Sequence, residues 1–217
     1  MEYPKTTKNK VKRIPKRGHY DQKTIFEILD AGYICHLGFV MDNQPFVIPT
    51  IYGREEDTIY LHGASTSRML VHLSSGAPLC MTVTHLDGLV LARSVFNHSM
   101  NYRSVVLFGK GELIEDKEEK MNALHVVTEQ ILKGRWDEAR LPNDKELKAT
   151  HVIKFKIDEG SAKIRTGAPG DEKADYDLPI WAGVVPIVQQ HLPVEVDPDS
   201  KFDLEVPDSV KAIFESK

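Results

Sequence analysis

Short runs of alternating apolar and polar residues, each closed by a turn signal, occupy most of this chain and leave little room for helices. Tyr33 to Met41 alternates around His36 and Gly38, Asp42-Asn43 turns the chain, and Pro45 to Tyr52 brings it back. Pro49 inside that return cannot donate to a ladder, which marks an edge strand or a bulge. A charged turn from Gly53 to Asp57 leads into Thr58 to Leu61. Pro78 to His85 is rich in β-formers, Asp87-Gly88 is a hairpin turn signal, and Leu89 to Arg93 answers it. Asn101 to Ile114 carries Gly109 and Gly111, a bend or bulge, and His151 to Ile157 faces Ala162 to Thr166 across the turn Asp158 to Ser161. Helical periodicity is confined to a few places. Residues 21 to 31 have Asp21 as N-cap and Gly32 as stop. Residues 117 to 133 set Met121, Leu124, Val127, Thr128 and Ile131 at helical spacing between Asp116 and Gly134. A short stretch with Met69, Leu70 and Leu73 stops at Gly76, and a last helix is predicted from Asp208 to Phe214. Six or more short strands beside two or three helices predict an antiparallel barrel, mainly β with flanking helices.

Bulk properties narrow the class. At 217 residues, with 41% hydrophobic and 28% charged, the chain can bury a substantial core as one domain with appendages. The predicted layout is a flexible basic arm over residues 1–16, a barrel domain over 17–190 and an acidic tail over 191–217. The arm holds Lys5, Lys8, Lys10, Lys12, Arg13 and Lys16, read here as solvated rather than nucleic-acid-binding. A net charge of −4 gives no electrostatic footprint for nucleic acid or anionic membranes. Cys35 and Cys80 sit in apolar strand patterns without metal or redox spacing, so both read as buried free thiols in a reducing compartment. No run reaches the length of a membrane span, and no apolar stretch follows the N-terminal charges. The expectation is a cytoplasmic protein.

The stretch Tyr60-Leu-His-Gly-Ala-Ser-Thr-Ser-Arg68 carries the clearest chemistry. A strand runs into a glycine, three hydroxyl residues and an arginine, and a helix pattern follows. Gly63 permits close backbone approach, Ser65, Thr66 and Ser67 offer hydroxyls, and a helix N-terminus adds free N–H groups and a favourable dipole. Arg68 can grip two phosphate oxygens at once. The competing reading is a plain cap by Ser65 or Ser67 with Arg68 in solvent.

The flanks match a family in register. Arg17-Gly-His-Tyr-Asp21, Cys35-His-Leu-Gly-Phe-Val40, Ile48-Pro-Thr-Ile-Tyr52, His62 to Arg68, Leu86-Asp-Gly-Leu-Val-Leu-Ala-Arg93 and Asn101-Tyr-Arg-Ser-Val-Val106 follow one another. Ser161-Ala-Lys-Ile-Arg-Thr-Gly167 and Trp181-Ala-Gly-Val-Val185 come after them. Over about residues 12 to 188 the chain resembles the flavin-nucleotide-binding branch of the pyridoxamine 5'-phosphate oxidase-like family, which includes the nitroimidazole-resistance proteins. The resemblance implies a six-stranded antiparallel FMN-binding split barrel, a homodimer with flavin at the subunit interface. By position it implies that Ser67 and Arg68, with Ser65, hold the flavin phosphate, and that His62 and Gly63 match the pair just before. Val47, Ile48, Pro49, Thr50 and Tyr52 match the strand lining the flavin ring. Arg103 and Ser104 match a pair approaching it from the barrel wall, and Trp181 matches an aromatic that reaches across the dimer.

Two departures argue against vitamin B6 oxidase activity. The oxidases proper carry lysines where this chain has Tyr52 and Met69, and they end in a basic segment, whereas Glu195, Asp197, Asp199, Asp203 and Glu205 make this tail acidic. The expected function is therefore an FMN-dependent oxidoreductase acting on a small organic molecule. The alternative is a non-enzymatic flavin- or haem-binding module in which a histidine serves as axial ligand. None of the nine histidines pairs at metal-ligand spacing, and His36 and His85 read as core residues. A protein general acid or base is not identified beyond His62 and His98 as candidates, and Phe96 to Tyr102 reads as a ligand-facing loop. Lys163 and Arg165 alternate on one face of a late strand, either solvated or a basic lining for flavin or an anionic substrate.

Overall fold

The computed structural model describes residues 1–215. In chain order its elements are β1 (Gly18–His19), α1 (Gln22–Asp30), β2 (Ile34–Met41), β3 (Gln44–Ile51), β4 (Gly53–Glu55), β5 (Thr58–Ala64) and α2 (Arg68–Leu73). There follow β6 (Pro78–Leu91), β7 (Ser99–Lys110), β8 (Glu112–Leu113), α3 (Lys117–Ile131), α4 (Asp144–Ala149), β9 (Thr150–Lys156), β10 (Glu159–Arg165), β11 (Gly183–Pro186) and α5 (Asp208–Glu215). Local chemistry explains the helix starts. The Asp21 carboxylate accepts from the Thr24 N–H at 2.8 Å and Asp116 accepts from the Glu119 N–H at 2.8 Å, caps worth about 1 kcal/mol each. An Asn143–Glu146 capping box starts α4, a helix not predicted above although its signature is in the sequence.

Two antiparallel sheets form the split barrel. One has seven strands in the order β1-β10-β7-β6-β2-β3, with β11 added to β6, and the other has four in the order β4-β5-β9-β8. The core lies between them, where Leu37, Met81 and Leu107 of the larger sheet meet Ile59, Leu61 and Phe155 of the smaller, closed by Ile25 and Leu29 of α1. A smaller cluster packs Ala123 and Val127 of α3 on Tyr60 and Val152, the other face of the small sheet. Gly109 and Gly111 sit where the chain leaves one sheet for the other. A Cβ on either would lie 2.6 Å from a backbone oxygen, of Lys156 and Leu73 respectively, so only glycine fits that crossing.

Several sequence expectations change. Asp87-Gly88 is not a hairpin turn: β6 runs through it, and the register on β7 shifts between Leu86 and Gly88, a bulge. Asp87 is the extra residue, held by Arg103, and the turn lies beyond Leu91, where the Ser94 hydroxyl accepts from the Phe96 N–H. The charged turn at Gly53 to Asp57 is narrower than expected, because Gly53–Glu55 pairs with β5 and leaves Glu56-Asp57 as the turn. The basic segment 1–16, expected as a flexible arm, is anchored along β10: the Asn9 amide donates to Gly160 O at 3.1 Å and the Val11 N–H to Tyr20 Oη at 2.9 Å. The acidic tail extends to α5, which docks through the Ser209 N–H on Glu138 at 3.1 Å.

Strand alternation assigns the faces of the large sheet. The outer face carries Val47 and Pro49 of β3, Ile34, His36 and Val40 of β2, Thr84 and Leu86 of β6, and Ser104 of β7 with Lys163 of β10. His36 is therefore exposed rather than in the core. Ile34, Val40, Val47 and Leu86 are all exposed, so an apolar stripe crosses this face without cover.

Candidate functional site

β5 delivers the chain to Ser65–Ser67 and α2 carries it away. Gly63 has a packing role: a Cβ there would meet Leu70 Cδ1 at 3.1 Å, so its absence lets α2 lie close on β5. Backbone bonds hold the loop, from Ser65 N–H to Ala149 O and from Ser67 N–H to Ala64 O, both 2.8 Å. Ser67 occupies the N-cap and its carbonyl accepts from Val71 N–H at 2.9 Å, but its side chain caps nothing. Among the described residues the hydroxyls of Ser65, Thr66 and Ser67 make no hydrogen bond, and Arg68 has no carboxylate partner. These donors thus have no protein acceptor among the described residues.

Arg68 lies over the ring of Phe46 at 4.6 Å, and Phe46 stacks on Phe39 at 5.4 Å. Phe46 belongs to β3, so this contact sets the loop beside the open edge of the large sheet. Phe46 was not among the residues expected at the site, although its inward place in the β3 alternation was legible. Along β3 the exposed Val47 and Pro49 point outward, Ile48 and Thr50 inward, and among the described residues no strand covers the far edge.

The other expected residues divide. Tyr52 is fully buried, its hydroxyl donating to the Leu29 carbonyl, and burial pushes its pKa up; it belongs to the core under α1. His62 turns toward the α3 side with a buried Nδ1 that has no partner, and burial pushes its pKa down. Arg103 and Ser104 leave β7 on opposite faces. Arg103 donates from Nε and Nη2 to Asp87 at 3.0 and 2.9 Å, which raises its pKa, whereas Ser104 donates to Lys163 O at 3.3 Å on the outer face. Trp181 is 67% exposed, its ring folded over Gly183, where a Cβ would lie 2.8 Å away.

The split barrel has counterparts among known proteins. Residues 21–164 match the pyridoxamine 5'-phosphate oxidase family. The chain belongs to that family. Within the pyridoxamine 5'-phosphate oxidase fold, the structure of the flavocytochrome Anf3 from Azotobacter vinelandii is 42% identical, with 98% of each chain covered and a TM-score of 0.91. An FAD- and haem-binding protein from Mycobacterium smegmatis is 34% identical over 91% of this chain and 97% of its own, with a TM-score of 0.87. A protein from Bacteroides thetaiotaomicron named for 5-nitroimidazole antibiotic resistance is 27% identical over 68% of this chain and 86% of its own, at a TM-score of 0.57. No curated protein matches the sequence.

Proposed function

We propose that this protein binds a flavin, FMN by preference, with the phosphate on Ser65, Ser67 and Arg68 and the ring along the β3 edge, and that it works as a homodimeric oxidoreductase. The carrying observation is the loop itself: three free hydroxyls and a guanidinium without a carboxylate, set beside an uncovered strand. A phosphate supplies the acceptors these groups lack, and charge-assisted bonds of this kind are the strong ones. Bound flavin would supply hydride or electron transfer, and the chain would bind, orient and shield it. Ser104 and the outer-face strands would border the ring. Arg103 reaches a ligand only by sharing or leaving Asp87.

Family membership does not carry the vitamin B6 reaction with it. Tyr52 and Met69 are buried where the oxidases proper have lysines, and the C-terminal tail is acidic. A phosphorylated amine substrate would find no cation at those places. A second reading, haem together with flavin, is supported by the relatives described as a flavocytochrome and as FAD- and haem-binding. In this chain the exposed His36, on the same face as Ile34 and paired with Pro49 and Thr82, offers an imidazole on the outer face of the sheet, which suits an axial ligand.

The test is direct. The purified protein is expected to be yellow or to take up FMN, with FMN held more tightly than FAD. Arg68→Ala should weaken FMN roughly tenfold to a hundredfold, the loss of a contact worth ~1.5–3 kcal/mol. Unchanged affinity returns Arg68 to a solvated helix start. A Soret band that disappears in His36→Ala supports the haem reading; a Soret band without flavin affinity overturns the flavin one.

A further inference from the structure

Residues 8–13 cross the outer face of β7 and β10 and roof a cavity of about 250 Å³ lined by Lys8, Lys10, Lys12, Arg13, Ser104 and Lys163. The roof is fixed in place by the Asn9 and Val11 hydrogen bonds to Gly160 and Tyr20. Lys8 has a partner, Glu159 at 3.0 Å. Lys10, Lys12, Arg13 and Lys163 have no carboxylate within ion-pair distance among the described residues. One step along the same face of β10, Arg165 is buried and donates only to neutral acceptors, the Asn101 amide oxygen and the carbonyls of Gly167 and Ala168. Among the described residues its Nε has no partner. Burial, and then the neighbouring Arg17, hold the Arg165 pKa down.

A protein of net charge −4 has thus gathered unpaired cations over one strand pair. Lys10, Lys12 and Arg13 reach the cavity from the solvent-exposed arm and Lys163 from the half-buried strand, so an anion entering it would meet cations from both sides. Lysine ammonium groups, a forked guanidinium and serine hydroxyls together suit phosphate oxygens. Size limits the occupant. A cavity of about 250 Å³ lies below the roughly 300–1,000 Å³ of pockets that enclose whole organic ligands and holds about eight waters at roughly 30 Å³ each.

We propose that the cavity between the N-terminal arm and β7–β10 binds a phosphate-class anion, either free phosphate or pyrophosphate or the phosphate end of a nucleotide. The site shares no residue with the Ser65–Arg68 loop; it meets the proposed flavin surface at Ser104 alone, and Lys10, Lys12 and Arg13 lie outside that assignment. Its role would be to hold the arm on the sheet in the presence of that anion.

Isothermal titration of the full chain with pyrophosphate, and in parallel with orthophosphate and ADP, tests it. Saturable binding at one site per chain is expected, weakened roughly tenfold or more by Lys163→Glu and, independently, by the pair Lys12→Glu with Arg13→Glu. The two variants alter different elements, so a folding defect in one leaves the other decisive, and Lys163→Gln gives a milder version of the first. ADP no tighter than pyrophosphate assigns the site to inorganic anions, and tighter ADP to a nucleotide end; both support the proposal. Absence of binding at millimolar ligand overturns it, as does affinity untouched by both reversals. So does pyrophosphate binding lost only in Arg68→Ala, or a single-stranded oligonucleotide bound more tightly than ADP.

Discussion

Single residues decide how the site can work. Arg68 does its structural part through Phe46, and that stacked contact keeps the guanidinium at the β3 edge without neutralising it. Tyr52 shows the opposite outcome: it ends the strand motif that resemblance assigns to the flavin, yet its ring is wholly in the core. The burial that pushes the Cys35 thiol up to about 12 marks the same interior. His62 gives the pH behaviour. An ordinary imidazole titrates near pH 6.5, and burial holds His62 below that. As pH falls through about 6.5 the unfolded chain takes up a proton that the folded one refuses, so stability is full above that pH and lost below it. His62→Gln removes the titration. Its urea midpoint should change less than wild type between about pH 7.5 and about pH 5.5. Parallel curves for the two proteins would assign the acid sensitivity to another group.

At the scale of elements, the closest fits are between backbone and backbone. β4 lies so near α3 that a Cβ on Gly53 would sit 2.7 Å from Val127 Cα and 2.8 Å from its nitrogen. Neither can move without shifting the helix that covers Tyr60 and Val152. Gly53→Ala should therefore cost about 1–3 kcal/mol, the range for overpacking, in chemical unfolding. Gly170→Ala, where a Cβ would meet nothing within 4 Å, is the matched control and should be near neutral. A Gly53→Ala protein as stable as the control would show that α3 slides on β4. The bulge at Asp87 is a second element-scale device. It lets the long β6 stay paired with β7 while presenting a carboxylate to Arg103.

At the scale of the molecule, the outer face of the large sheet is where the proposed second copy would pack. Ile34, Val40, Val47 and Leu86 form an apolar stripe, and the exposed Trp181 stands near the strand that extends it. Several exposed apolar residues on one face with a large aromatic nearby are typical of an interface, and a flavin ring on the β3 edge would be covered by it. Sedimentation should give about twice the 24.5 kDa chain mass. Ile34→Glu with Val40→Glu should shift the protein to monomer, and Trp181→Ala should weaken both dimer and flavin retention. A monomer that holds flavin stoichiometrically would remove the two-subunit site and Trp181 from it.

The sequence by itself determined the local pieces. Asp21 and Asp116 start helices because a carboxylate in that place captures a free N–H whatever surrounds it, and Asp42-Asn43 turns β2 into β3 because both residues tolerate positive φ, 50° and 63° here. The loop from Ser65 to Arg68 was legible for the same reason: its chemistry is in neighbouring residues. Only the tertiary structure decided what depended on partners far along the chain. Asp87-Gly88 reads as a turn locally and becomes a bulge because β7 pairs with both sides of it. Arg103 and Ser104 are adjacent in sequence and separated by the sheet, since successive strand residues point opposite ways. The basic arm and Lys163 lie about 150 residues apart and meet over one cavity. Caps and turns act over a few residues, whereas faces, edges and charge clusters exist only after strands have paired.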